Sequence, residues 1–251
     1  TIKSPALLPS LKAMKPLIGK DTTIITCMNG IPHWYFHKLD NKYANYKIKC
    51  LDPNLIIDTI LPPDNIVGSV VYPACEIVEP GIIKHIAGNR FSLGEPEGSE
   101  SDRLKFISDI LKTAGFRAPI QKNIRDEIWL KLIGNLSFNP ISALTGATLE
   151  QICNDQGTEA IVRAMMTEAK IIAEELGAKI NMSIEKRIDG ARKVGAHKTS
   201  MLQDIEAGKP IEIDPIIIAV KELGELTCSP TPYIDTILNL TLQKAKLIGC
   251  L

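Results

Sequence analysis

Three polar residues stand four apart in an otherwise apolar run: Lys131, Asn135 and Asn139. At helical spacing all three share one face. Around them lie Ile128, Trp129, Leu132, Ile133, Leu136 and Phe138. A lysine and two amides in such company are costly unless paired or used. The face is either a solvated polar stripe or a lysine flanked by amides at a cleft, placed to donate a proton. Asparagine's low helix propensity favours a specific role. A second candidate region is 197–214. There Ser200 reads as an N-cap, with Gln203 completing a capping box. Asp204 and Glu206 read as ordinary helix acids, and Glu212 as a cap-region acid or a ligand. A third is Asn29-Gly30, directly after the β-branched run 22–27. It is either a plain connecting turn or a loop at the carboxyl end of a strand, where open α/β sheets bind ligands.

Other chemistries have little support. His33, His37, His85 and His197 lack metal spacing, although His33 and His37 would share a face of a helix. The six cysteines (27, 50, 75, 153, 228 and 250) include no CxxC pair. No metal site is expected, and the thiols read as free. Neither GxSxG nor GxGxxG occurs. With 29 basic and 29 acidic residues the chain has zero formal charge, which excludes a polybasic nucleic-acid binder. A hydrophobic content of 45% excludes a disordered acidic tail. No apolar run reaches the ~18–20 residues of a membrane span, and TIKSPALLPS lacks a signal-peptide pattern. The expected setting is cytoplasmic, with neither nucleic acid nor membrane as partner.

The positioning elements divide in two. Up to about residue 120 the pattern is mixed α/β. Strands are expected at 22–27, 65–72, 82–88 and 90–94, with helices over 4–17, within 51–60 and over 99–116, the last capped by Ser101. Beyond 120 the pattern is helical: 124–146 with a kink or break at Pro140, 158–176, 183–194, 200–207, 213–226 and 232–247. The apolar face of 156–176 would serve the core or a partner surface. This layout predicts two domains, 1–120 and 121–251, α/β followed by all-α.

Five strings in this order carry a resemblance: MNGI (28–31), GEPEG (94–98), EIWLKLIGNLSFNPISALTG (127–146), KTSMLQDIEAGKPIEID (198–214) and TPYIDTI (231–237). From about Lys3 to Thr236 the chain resembles the 2-dehydropantoate 2-reductase (ketopantoate reductase) family. The resemblance implies a partial Rossmann-type NADP-binding domain. A helical domain like the 6-phosphogluconate dehydrogenase C-terminal domain follows it. It implies NADPH-dependent reduction of ketopantoate to pantoate in pantothenate and coenzyme A biosynthesis, with a homodimer as the possible assembly. Carried over, Lys131 matches the catalytic lysine. Asn135, Asn139, Ser200 and Glu212 match substrate-binding positions. Asn29 and, less securely, Lys3 match positions beside the cofactor. The family's opening strand–GxGxxG–helix has no counterpart in these residues, so the resemblance implies an NADP site that is incomplete within them. A piece of a longer protein, a shortened gene and a lineage that lost the cofactor are the open explanations. Reduction of another 2-keto acid, or binding of the acid alone, are the alternative functions.

Overall fold

The computed structural model describes residues 2–251. A short helix α1 (Leu7–Met14) follows a single 3₁₀ turn and precedes strand β1 (Ile24–Thr26). The chain then winds through turns to a one-turn helix, α2 (Ile57–Ile60). The Asp52 carboxylate accepts from the amides of Ile56 and Ile57 at 2.9 and 2.8 Å, so α2 starts later than the 51–60 pattern suggests. The His33–His37 stretch is turn rather than helix.

Strand β2 (Ile66–Val71) pairs parallel with β1 and antiparallel with β5 (Phe91–Gly94), giving the order β1-β2-β5. Ile66 and Val70 join the main core, while Val67 packs with Leu93 and Leu104. The strand is therefore covered on both faces, as its apolar composition demands. Helix α3 (Asp102–Thr113) supplies Leu104 and is capped by the Ser101 hydroxyl. Between β2 and β5 the chain leaves the sheet as a separate hairpin, β3 (Ala74–Glu79) and β4 (Ile82–Ala87). Strand β3 was not anticipated: Pro73 precedes it and two glutamates interrupt its apolar pattern.

Helix α4 (Ile124–Thr145) runs unbroken through Pro140, and Gly146 ends it in the left-handed region. The expected kink is absent. Burial of Phe138, Ile141 and Ala143 around the proline outweighs the ~3 kcal/mol such a residue costs a helix interior. Around α4 pack α5 (Leu149–Asn154), α6 (Gln156–Glu175), α8 (Ser200–Glu206) and α10 (Pro232–Ile248). Helix α7 (Ile184–Val194) lies on α5 and α6, and α9 (Ala219–Thr227) continues from a π-helical turn at Asp214–Ile218. The apolar face of α6 lies in the core. The aromatic run Trp34-Tyr35-Phe36 is tied to α4: Arg125 Nε donates to Tyr35 O at 2.7 Å, and Trp129 Nε1 donates to the Tyr35 hydroxyl at 2.8 Å. One continuous core thus joins the sheet segment to the helices.

Candidate active site

Lys131 projects from the middle of α4 toward the ends of β1 and β2. Its ammonium donates to Asn29 Oδ1 at 2.8 Å and to the Val71 carbonyl. Asn29 lies just past β1, and its Nδ2 donates to Glu212 Oε2 at 3.1 Å. The other Glu212 oxygen accepts from the Ser4 amide at 3.2 Å. One amide therefore links ammonium to carboxylate, and the link fixes which way that amide faces. Three segments far apart in sequence meet here.

The backbone explains how they are held. Gly30 has φ +83°, and a Cβ there would lie 2.3 Å from the Pro215 carbonyl oxygen. That oxygen accepts from the Ile31 amide at 2.8 Å. Only glycine permits this approach, and it pins the Asn29 loop to the turn that follows Glu212.

Burial lowers the Lys131 ammonium from the ordinary lysine range to about 8. Glu212 opposes that drop and the Arg187 guanidinium adds to it. An ammonium offers three donors. Two are engaged, which leaves one for an incoming oxygen. The Tyr72 ring lies beside it, its centroid 5.6 Å from Nζ.

A cavity of about 150 Å³ adjoins this group, and Asn29, Lys131, Asn135, Ser69 and Asp214 line it. Much of its wall is hydrocarbon, including Leu7, Leu8, Leu51 and Ile57. Burial raises the Asp214 carboxyl above the usual range. The Ser69 hydroxyl and Asn139 Nδ2 are buried without a hydrogen-bond partner.

The sequence candidates thus separate. Lys131, Asn29 and Glu212 form one bonded chain, and Asn135 stands on the cavity wall. Asn139 is buried two turns further along the same helix face. Ser200 is exposed and is not the cap of α8: Thr199 is, its hydroxyl accepting from Leu202 N. Gln203 donates to the Lys198 carbonyl rather than closing a capping box. Either Thr199 or Ser200 can cap, and spacing alone does not choose between them. Lys3 forms an ion pair with Asp204, one helical turn from Ser200 on the same face of α8. Tyr72, Asp214 and Arg187 escaped the sequence reading. A glycine at 134, inside a strong helical pattern, was the available signal for the last of these. Among the described residues, no helix is long and apolar enough to cross a membrane, and no three His, Cys, Asp or Glu side chains group as metal ligands.

Comparison with known proteins agrees with this layout. The family described as ketopantoate reductase PanE/ApbA C terminal matches residues 123–245. A 2-dehydropantoate 2-reductase of Mesorhizobium japonicum is 48% identical over 249 residues, 99% of this chain and 76% of that protein. A candidate ketopantoate reductase structure from Ralstonia solanacearum superposes with TM-score 0.95 at 39% identity, covering 100% of this chain and 76% of that one. The 2-dehydropantoate 2-reductase of Methylococcus capsulatus gives 0.83 at 27% identity, covering 99% and 74%. The fold is accordingly a Rossmann-type segment joined to a helical C-terminal region, and the chain belongs to the ketopantoate reductase (2-dehydropantoate 2-reductase) family.

Proposed function

We propose that this chain carries the active site of an NADPH-dependent reductase that converts 2-dehydropantoate to pantoate, with Lys131 as its proton donor. The observation that supports this most is the Lys131–Asn29–Glu212 chain beside a cavity. Reduction of a keto group adds hydride to carbon and leaves charge on oxygen. The free donor of Lys131 meets that charge and then transfers its proton, giving the hydroxyl. A group with pKa about 8 is largely protonated at neutral pH and gives its proton up readily, which suits a general acid. Asn29 and the Val71 carbonyl keep the ammonium from rotating away, so less orientation is lost on reaction. Asn135 and Asn139, on the same helix face, and Ser200 are assigned to the substrate. Glu212 is assigned to its hydroxyl end.

The residues present fit the nicotinamide end of the cofactor. Thr26 and Met28, at and just past the end of β1, and Ser69 and Val70 in β2 border the cavity, where doubly wound sheets take dinucleotides. Asn29 and Lys3 would hold it there. When bound, NADPH supplies the hydride. The pyrophosphate-cradling GxGxxG loop is not among these 251 residues. We assign 1–120 to the cofactor side and 121–251 to the helical substrate side. All strands end by Gly94, and long helices follow from Ile124.

A second reading, reduction of a 2-keto acid with a larger apolar chain, is favoured by the hydrocarbon lining of the cavity. One assay addresses both. NADPH oxidation by this chain is followed with ketopantoate and with apolar 2-keto acids lacking its hydroxyl. The expected result is turnover with ketopantoate preferred, falling on the order of 10³-fold in Lys131→Ala. Preference for the apolar acids would replace the first reading by the second. Unchanged turnover in Lys131→Ala would overturn the proton-donor role.

A further inference from the structure

Tyr72 follows the last residue of β2, and its backbone is fixed twice there. Its amide donates to the Arg90 carbonyl at 3.0 Å, and Pro73 keeps the residue before it extended. Tyr72 is half-buried, and its hydroxyl donates to Glu127 Oε1 at 2.7 Å. Arg90 binds the same carboxylate at 2.7 Å, and its guanidinium carbon lies 5.2 Å from the centre of the Tyr72 ring. Ser92 also donates to Glu127, at 3.1 Å. Backbone, hydroxyl and ring are thus all held.

That network sets the surroundings of Lys131. Glu127 lies four residues before it on α4, the spacing and order at which a glutamate pairs well with a lysine. Here the carboxylate is spent on Arg90, Tyr72 and Ser92, and Lys131 is bonded to the neutral groups of Asn29 and Val71. The centre of the Tyr72 ring stands 5.6 Å from Nζ, within the ~6 Å reach of a cation–π contact. Burial pushes the ammonium toward its neutral form, so each group that favours the charge counts. A ring face attracts a cation without taking one of its conventional hydrogen bonds, so the third donor of Lys131 stays available.

We propose that Tyr72 is a positioning residue for Lys131: its ring, fixed by Glu127 and Arg90, holds the ammonium beside the cavity and favours its charged form. That this ammonium is the proton donor rests on the function proposed above; the contact itself does not. Of the other charged groups around Lys131, Glu212 favours its charge and Arg187 opposes it. Asp214 and His33 line the adjoining cavity, and Arg90 and Glu127 offset each other as a pair. None of these is altered when Tyr72 is replaced.

The test titrates Lys131 directly by NMR, in the full chain without cofactor or substrate. Lysine carrying carbon-13 at Cε is incorporated, and the Lys131 signal is identified by its loss in Lys131→Met. The expected pKa is about 8 in the unaltered chain. In Tyr72→Leu it falls by roughly half a pH unit or more. In Tyr72→Phe, which keeps the ring, the fall is less than half as large. Tyr72→Met, whose flexible chain adapts to the space, makes the same comparison if leucine packs poorly. An unmoved pKa in the aliphatic variants would overturn the proposal. A rise would show that the ring only excludes water, and an equal fall in Tyr72→Phe would assign the effect to the hydroxyl; either overturns it too. Turnover with NADPH is a separate measurement, so a failed reductase reading and a failed Tyr72 assignment give different patterns.

Discussion

Helices α4 and α6 pack side by side, yet they treat polar residues in opposite ways. Helix α6 buries Val162, Met165, Met166, Ala169, Ile172 and Ala173, and turns Thr167 and Glu174 outward. Its one buried acid, Glu168, accepts from the Tyr233 and Ile234 amides at the start of α10. That is a complete structural use. Helix α4 instead buries polar groups along its length, and they fall into two kinds. Arg125 is spent on the carbonyls of Tyr35, Pro96 and His37, and Ser137 on Ile133 O. Half-buried Lys131 keeps one ammonium donor unspent, and the Asn139 Nδ2 is buried with no partner. Folding penalises an unspent buried donor. Its persistence here, on one side of one helix beside a cavity, distinguishes a site from a core.

The contrast can be broken by substitution. The largest stability change belongs to α6. Ile172→Ala is expected to lose about 2–5 kcal/mol through the cavity it leaves, with kcat/KM within about twofold. Urea unfolding alongside the reductase assay checks both halves, and a large catalytic loss would blur the distinction. Next comes the pH dependence of stability. The folded-state pKa of Lys131 is lowered to about 8, so between that pH and the ordinary lysine value the unfolded chain binds more protons. Stability from this group therefore rises with pH across that window, by roughly 2–4 kcal/mol. The rise should be missing from Lys131→Met, as denaturant midpoints at pH 7 and pH 10 would reveal. The smallest effect is expected at Asn139, whose Nδ2 has no partner. Asn139→Leu should gain about 1 kcal/mol while weakening binding of the acid. A variant that is destabilised with unaltered acid binding would return Asn139 to the core.

Much of this was legible before any coordinates. The i, i+4, i+8 spacing of Lys131, Asn135 and Asn139 placed them on one face, the Ser101 cap marks a real helix start, and the 183–194 helix is present, with Ser183 as its cap. What spacing could not convey was long-range. Asn29 and Glu212 are 183 positions apart, and on spacing alone Glu212 read more readily as a cap-region acid than as a ligand. Pro140 read as a break because the local cost of proline is visible in a string, whereas the burial that offsets it is not. Arg187 stands in no motif that the sequence offered. Only the geometry over Gly134 sets it apart.

The most direct measurement is the pH dependence of kcat/KM for ketopantoate reduction, for this chain and for Lys131→Met. With Lys131 as donor, the rate should fall about tenfold per pH unit above a break near the site's pKa of about 8. The variant should be on the order of 10³-fold slower and lack that break. An alkaline limb that begins only in the ordinary lysine range, or one that persists in Lys131→Met, would contradict the account.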